Sequence, residues 1–338
     1  MAETPPAHPY RVGIVGTGGI ARAHGFACQS LEGVELAAIC DVSEAALNRY
    51  GDAFGVAQRY LDLDDMLAAE DLDIAIICTW GTAHAATSVQ IARSQRVRAI
   101  LCEKPFAANA SEAAQMVAVA QEHDILLTEA FKFRHHPMHL KAKELVDSGV
   151  LGKVMAVRST FLASVAADAR KPERNWRFNR AKGGGSINDL GCYGIHHARW
   201  LFDAEPVRVF AAAQRGLEVD DGAAIVLVFP GDRTAQISIG YNAWRAQYAE
   251  VSGTKGMLRL DKVWNNENQP VTLEHYTGDG VEAIRFGPLH QFTYQLRHLC
   301  ECLETGQPPR IRPESSINQM QVIDAVFDSV ATGKVTAI

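Results

Sequence analysis

Over the first 130 residues, short apolar runs alternate with amphipathic stretches. Residues 11–15, 35–40, 74–78, 99–102 and 125–129 are rich in Ile, Val and Leu and read as strands buried on both faces. Between them, residues 20–30, 43–54, 83–94 and 111–123 carry apolar positions at helical spacing. Strands alternating with helices predict a parallel sheet covered on both sides, with ligands beyond the carboxyl ends of the strands.

The pattern changes after residue 130. A helix is expected over 140–148 and a strand over 153–161. A polar loop over 166–182 follows, with six Arg or Lys. Gly183, Gly184 and Gly185 then open a helix reaching about residue 202. Strand-like runs at 207–213, 223–229, 234–241, 249–252, 257–260 and 271–275 come next, and helices over 290–303 and 314–329 close the chain. The expected class is α/β: a dinucleotide-binding domain over 9–130, then an α/β domain over 131–338 with a large, mostly antiparallel open sheet. Residues 1–9 are polar, hold three prolines and lack the apolar core of a signal peptide, so they read as a disordered lead-in.

Composition narrows the class. Hydrophobic residues make up 47% and charged residues 21% of the 338, as in a soluble globular protein. The net charge of -6 argues against a nucleic-acid partner, which needs clustered positive charge. No apolar run is long enough to span a membrane. The seven cysteines show no CxxC spacing and read as buried thiols of a reducing compartment, giving a cytoplasmic assignment.

The run Gly16-Thr17-Gly18-Gly19-Ile20-Ala21 fits GxGxx(G/A), directly after the first strand and opening the first helix. Gly16 permits a tight turn, Gly18 lets the backbone approach a pyrophosphate, and Gly19 and Ile20 complete the helix N-terminus that faces it. Asp41 ends the second strand, 20 residues after Ala21. A carboxylate there accepts hydrogen bonds from ribose hydroxyls and repels a 2′-phosphate, which favours NAD while leaving NADP possible. Asp41 as a helix cap is the plainer alternative. Thr79 and His84 flank the turn after the third strand and are cofactor candidates, with capping as the alternative. Trp176 and Arg177, on the long loop, are candidates over the nicotinamide pocket.

Glu103-Lys104-Pro105 ends the fourth strand at the ligand edge, placing Glu103 and Lys104 near a cofactor ribose and Lys104 near a substrate hydroxyl. Asp189 and Tyr193 lie four residues apart on the helix expected after the glycines and share one face. A tyrosine beside an ammonium has its phenolate favoured, which suits removal of an alcohol proton. Core packing is the plain alternative for Tyr193, and also for Tyr241 and Trp244, which sit at a strand end. His196 is the next acid/base candidate on the same helix. The pairs His135-His136 and His196-His197 suggest no metal site, because adjacent side chains point apart.

Together these motifs resemble the glucose–fructose oxidoreductase / inositol dehydrogenase / MocA family. The resemblance rests on residues 13–21, Cys102-Glu103-Lys104-Pro105, residues 129–134 with Pro137, residues 149–153 and residues 183–193. It implies an NAD(P)-dependent enzyme acting on an alcohol carbon of a sugar or cyclitol, with Lys104 as the catalytic lysine and Asp189 as a polar partner. It also implies a homodimer or homotetramer built on the open sheet. Most members read D-x-G-x-H-x-x-D. Here Tyr193 stands at the His position and His196 at the last Asp, as in a tyrosine-bearing branch whose members often favour NADP. Two other readings stay open: an NAD-dependent glycoside hydrolase with transient sugar oxidation, and a non-catalytic dinucleotide-binding regulator.

Overall fold

The structure, a computed structural model, describes residues 9–338. All but one residue of the expected lead-in therefore lies outside the described residues. The chain divides into two compact units, residues 1–132 with 291–317, and residues 133–290 with 318–338.

The first unit is a six-stranded parallel sheet. Its strands are β1 (Tyr10–Val15), β2 (Val34–Cys40), β3 (Gln58–Tyr60), β4 (Ile74–Ile77), β5 (Ala99–Cys102) and β6 (Leu126–Glu129), in the order β3-β2-β1-β4-β5-β6. Helices α1 (Ala21–Gln29), α2 (Glu44–Phe54), α3 (Leu63–Ala69), α4 (His84–Ser94) and α5 (Ala110–Glu122) connect them. Val12, Ile14, Ile74 and Ile76 are fully buried, which explains why these strands read as unbroken apolar runs. The three-residue β3 and the acidic α3 had too little apolar pattern to be read from the sequence. The strand order reverses between β1 and β4, and the carboxyl ends beside that switch point form the ligand crevice of such sheets.

The second unit is built on α6 (Pro137–Asp147), β7 (Val154–Ser164), α7 (Cys192–Phe202), β8 (Arg208–Arg215), β9 (Asp220–Phe229), β10 (Arg233–Gly240), β11 (Asn242–Gly253), β12 (Met257–Asp261), β13 (Val271–Thr277) and β14 (Gly280–Phe286). With β15 (Thr336–Ala337) the strands make a nine-stranded sheet in the order β14-β13-β12-β11-β7-β10-β9-β8-β15. Only β7 and β10 pair in parallel. Val157, Ile225, Ile237 and Val251 face inward and are buried, whereas Phe210 and Val226, paired across β8 and β9, are exposed.

Helix α8 (Gln291–Thr305) belongs to the first unit, and α9 (Pro313–Thr332) runs from the first unit into the second. The sequence reading had placed everything after residue 130 in the second domain. Composition hides the difference: Phe292, Leu296, Leu299 and Cys300 of α8 join the apolar cluster of β1 and α1. No helix among the described residues is long and apolar enough to cross a membrane.

Candidate active site

In the first unit the expected cofactor residues gather at the carboxyl edge of the sheet. Gly16 has φ of +89°, and a Cβ there would lie 2.7 Å from the Cys78 carbonyl, so only glycine fits. A Cβ on Gly18 or Gly19 would meet nothing within 4 Å, so this stretch of backbone faces open space. Ile20, Val42 and Trp80 are exposed beside the loop, with Val42 at 94%. The Thr79 hydroxyl oxygen is buried with no hydrogen-bond partner. An open glycine cradle, a rim of exposed apolar side chains and an unsatisfied hydroxyl fit a dinucleotide, which fills the first, covers the second and pairs with the third.

Asp41 is tied to this loop. Its Oδ2 accepts from the Thr17 amide at 2.7 Å and the Thr17 hydroxyl at 2.8 Å, and Oδ1 accepts from the Ser43 amide at 2.8 Å. Ser43 caps α2 through its own side chain, so the capping reading of Asp41 gives way to one in which it joins β2 to the glycine loop. A carboxylate has roughly four acceptor sites, so ribose hydroxyls still find room on Asp41.

Two expectations change. His84 is 1% exposed, and its ring nitrogens lie 2.8 Å from the Pro105 carbonyl and 3.2 Å from the Thr79 carbonyl. Burial lowers its pKa, and the ring braces the two turns through these carbonyls, the arrangement closer to the capping alternative. Glu103 is likewise turned inward. Its Oε1 meets His24 Nε2 at 2.8 Å and its Oε2 accepts from the Lys104 amide at 3.2 Å. Lys104 itself is half-buried.

In the second unit the site is organised around Asp189. The expected α-helix begins instead with a π turn, Ile187–Gly191, before α7. Gly185, at φ +114°, opens it; a Cβ there would lie 2.5 Å from Asp220, whose carboxylate accepts from the Ser186 hydroxyl and the Ile187 amide. π turns of this kind cluster at functional sites. Asp189, with its side chain 6% exposed, accepts on Oδ2 from Arg177 Nε at 2.9 Å and from the Tyr241 hydroxyl. Arg177 in turn lies over the Trp176 ring at 4.8 Å. Burial and then the neighbouring Asp189 push the Tyr241 phenol well above its ordinary pKa, so it remains a donor. Burial works against the Arg177 charge, but Asp189 outweighs it, with Tyr241 and Tyr193 acting in the same sense, and the guanidinium is held above its ordinary value. Arg177 is thus the group coupled electrostatically to both Asp189 and Tyr193.

Tyr193 is buried among Phe161, Trp264 and Phe133, with ring centroids at 5.6, 5.5 and 6.1 Å. His196 accepts from Arg134 at 2.9 Å, and burial, with Arg134 next, holds its pKa well below the ordinary value. A histidine fixed as an acceptor for a guanidinium is a poor reserve acid. Among the described residues no group of three or more His, Cys, Asp or Glu is arranged to hold a metal ion.

Sequence reasoning missed Thr17 and His24, and it took core packing as the first reading of Tyr241. Thr17 lay within the glycine fingerprint. His24 falls on the buried stripe of α1 with Ala21, Ala27 and Cys28, a polar residue that needs a partner there. Tyr241 was assigned to the core because a strand-end tyrosine carries no distinguishing pattern.

A doubly wound dinucleotide-binding sheet, joined in one chain to a unit with a wide antiparallel sheet, defines a two-domain, dinucleotide-binding class of protein. Residues 10–131 match the model of an oxidoreductase family with an NAD-binding Rossmann fold, and residues 139–259 that of the GFO/IDH/MocA C-terminal domain. The chain is 32% identical over 324 residues to D-xylose 1-dehydrogenase (NADP(+)) 2 of Haloferax volcanii, covering 95% of this chain and 97% of the relative. An aldose-aldose oxidoreductase from Caulobacter crescentus, solved with glycerol, superposes with a TM-score of 0.89 at 27% identity, covering 98% and 100% of the two chains. A 3-ketoreductase from Actinomadura kijaniata, solved with NADP and TDP-benzene, gives 0.86 at 26% identity, covering 95% and 98%. The chain belongs to the GFO/IDH/MocA oxidoreductase family, and its first unit is the NAD(P)-binding Rossmann domain of that family.

Proposed function

We propose that the protein transfers hydride between a nicotinamide dinucleotide and a secondary alcohol or hemiacetal carbon of a sugar or cyclitol, with Tyr193 and Lys104 as the acid/base pair. The relatives, a xylose dehydrogenase, an aldose oxidoreductase and a sugar ketoreductase, support the substrate class. When bound, the dinucleotide supplies the hydride acceptor and donor. Tyr193 takes the proton of the substrate hydroxyl during oxidation and returns it during reduction, with the Lys104 ammonium favouring the phenolate. Asp189, whose Oδ2 accepts from Arg177 and Tyr241, is the polar partner of Tyr193 in this reading and helps to position the substrate.

The observation that carries this reading is the network of Arg177 and Tyr241 on Asp189, which lies four residues before Tyr193. A regulator that only senses a dinucleotide has no need of a buried carboxylate held by two donors. The charge on Asp41 supports NAD over NADP. Seven cysteines, all unpaired and buried, support a cytoplasmic enzyme. The exposed Phe210 and Val226 on the outer sheet face support a homodimer or homotetramer. The test is a screen of sugars and cyclitols with NAD and NADP in parallel, read by nicotinamide absorbance. Turnover of at least one aldose or cyclitol is expected. Release of nitrophenol from a nitrophenyl glycoside, with no net nicotinamide reduction, would replace this reading with a hydrolase.

A further inference from the structure

We infer that His24 is a positioning residue for Lys104, acting through the Glu103 carboxylate; the inference rests on the reading of Lys104 as catalytic. His24 lies on α1, one turn beyond the glycine cradle, and is 0% exposed. Its Nε2 is 2.8 Å from Glu103 Oε1, while Glu103 Oε2 holds the main-chain N–H of Lys104. An ionised carboxylate only accepts, so the proton of this contact sits on Nε2. His24 Nδ1 is buried with no partner, and the ring of Phe292 stands edge-on to the imidazole at 5.0 Å. With Nε2 on the carboxylate and Phe292 against the ring, the imidazole fixes the orientation of Glu103 in a buried setting.

The arrangement does two things. It fixes the turn that carries Lys104 to the helix that begins at the phosphate cradle, so cofactor loop and catalytic lysine share one support. It also holds the Glu103 carboxylate against the main chain of Lys104, so the start of that side chain is fixed in place. The other titratable groups facing Glu103 are the Cys78 and Cys102 thiols and His84. The thiols are pushed up by burial first, then by neighbouring carboxylates, and so stay neutral at physiological pH. The polar contacts that hold the Glu103 carboxylate are those with His24 and the Lys104 amide.

The experiment compares wild type with His24→Leu, which keeps the bulk, and His24→Gln, which keeps a donor near Nε2. Dinucleotide affinity is measured by titration calorimetry, kcat and KM on the best substrate from the screen, and the titration of Lys104 by competitive acetylation with mass spectrometry. In His24→Leu, kcat is expected to fall by roughly 10- to 100-fold. Dinucleotide Kd should change by no more than about threefold. The pH dependence of Lys104 acetylation should differ from wild type, because the carboxylate beside its main chain is no longer held in place. His24→Gln should restore most of both effects. Equal losses in the Leu and Gln variants, or a Lys104 titration unmoved in His24→Leu, would overturn the inference. If wild type turns over no sugar, the functional reading fails, and the Lys104 titration still decides the role of His24.

Discussion

Arg177 donates its Nε–H to Asp189 across 2.9 Å, joining the polar loop before the glycines to the π turn after them. The guanidinium is 41% exposed and the carboxylate 6%, so the pair is wet on one side and dry on the other. Removing the cation takes one donor from a buried carboxylate, with Tyr241 still donating to Oδ2. Arg177→Ala is expected to cost about 1–3 kcal/mol, the range for orphaning a buried acceptor, discounted for the exposed partner. Thermal denaturation checks the size. Turnover should fall as well, and a variant with unchanged kcat would show that Asp189 does not need this partner.

Cofactor choice turns on two adjacent residues. Asp41 presents a carboxylate fixed by Thr17, and Val42 beside it is exposed. Wild type is expected to bind NAD more tightly than NADP. Asp41→Ser combined with Val42→Arg should move the preference toward NADP by at least about tenfold, roughly 1.4 kcal/mol, by removing a repulsion and adding a cation. Affinities for both dinucleotides measure this. A wild type that prefers NADP tenfold would refute the reading of Asp41.

Acid should weaken the second unit. His136, His139 and His197 are buried, and burial lowers their pKa values, to about 4 for His136 and about 3 for His197. The unfolded chain takes up these protons near pH 6.5 and the folded chain does not, so stability is full above that pH. Below it, stability falls until the folded values are reached, by about 1.4 kcal/mol per pH unit for each such histidine. Denaturant midpoints from pH 7 downward follow the decline. His197→Phe, set among Phe133, Trp200 and Trp264, should flatten it. An unchanged slope would mean that His197 takes up its proton in the folded state.

Self-association is expected through the outer face of the nine-stranded sheet. Phe210 and Val226 form its apolar end, while Arg158 and Glu250, 3.9 Å apart, form part of its charged middle. Light scattering should give a dimer or tetramer, and Phe210→Glu with Val226→Lys should give a monomer of 36.8 kDa. A wild-type monomer at micromolar concentration would count against the proposal.

Much of the fold was legible because its pattern is local. Continuous apolar strands, the Gly16–Gly18 fingerprint and the Lys104 turn each have a short-range signature, and their spacing marked the family. Short elements left little signature: the three-residue β3, the seven-residue α3, the exposed hairpin strand β14 and the two-residue β15. The return of α8 to the first unit rests on packing between segments far apart in sequence, such as Phe292 against His24. The same limit applied to the site. Asp189 and Arg177 were readable as residues, but their pairing and the arrival of Tyr241 from a distant strand depend on tertiary structure. The π turn was hidden too, because a five-residue segment is too short for its spacing to separate α from π register.

The central claim is that Tyr193 is the acid/base of a dinucleotide-dependent alcohol oxidation. The most direct measurement is turnover of Tyr193→Phe beside wild type on the best sugar or cyclitol, with dinucleotide Kd measured on the same preparations. The substitution removes only the hydroxyl and leaves the ring against Phe161 and Trp264. The expected result is a kcat lower by roughly 10²–10⁴-fold, the span for losing a positioned acid/base, with dinucleotide affinity unchanged. Near-normal turnover in Tyr193→Phe would contradict the account.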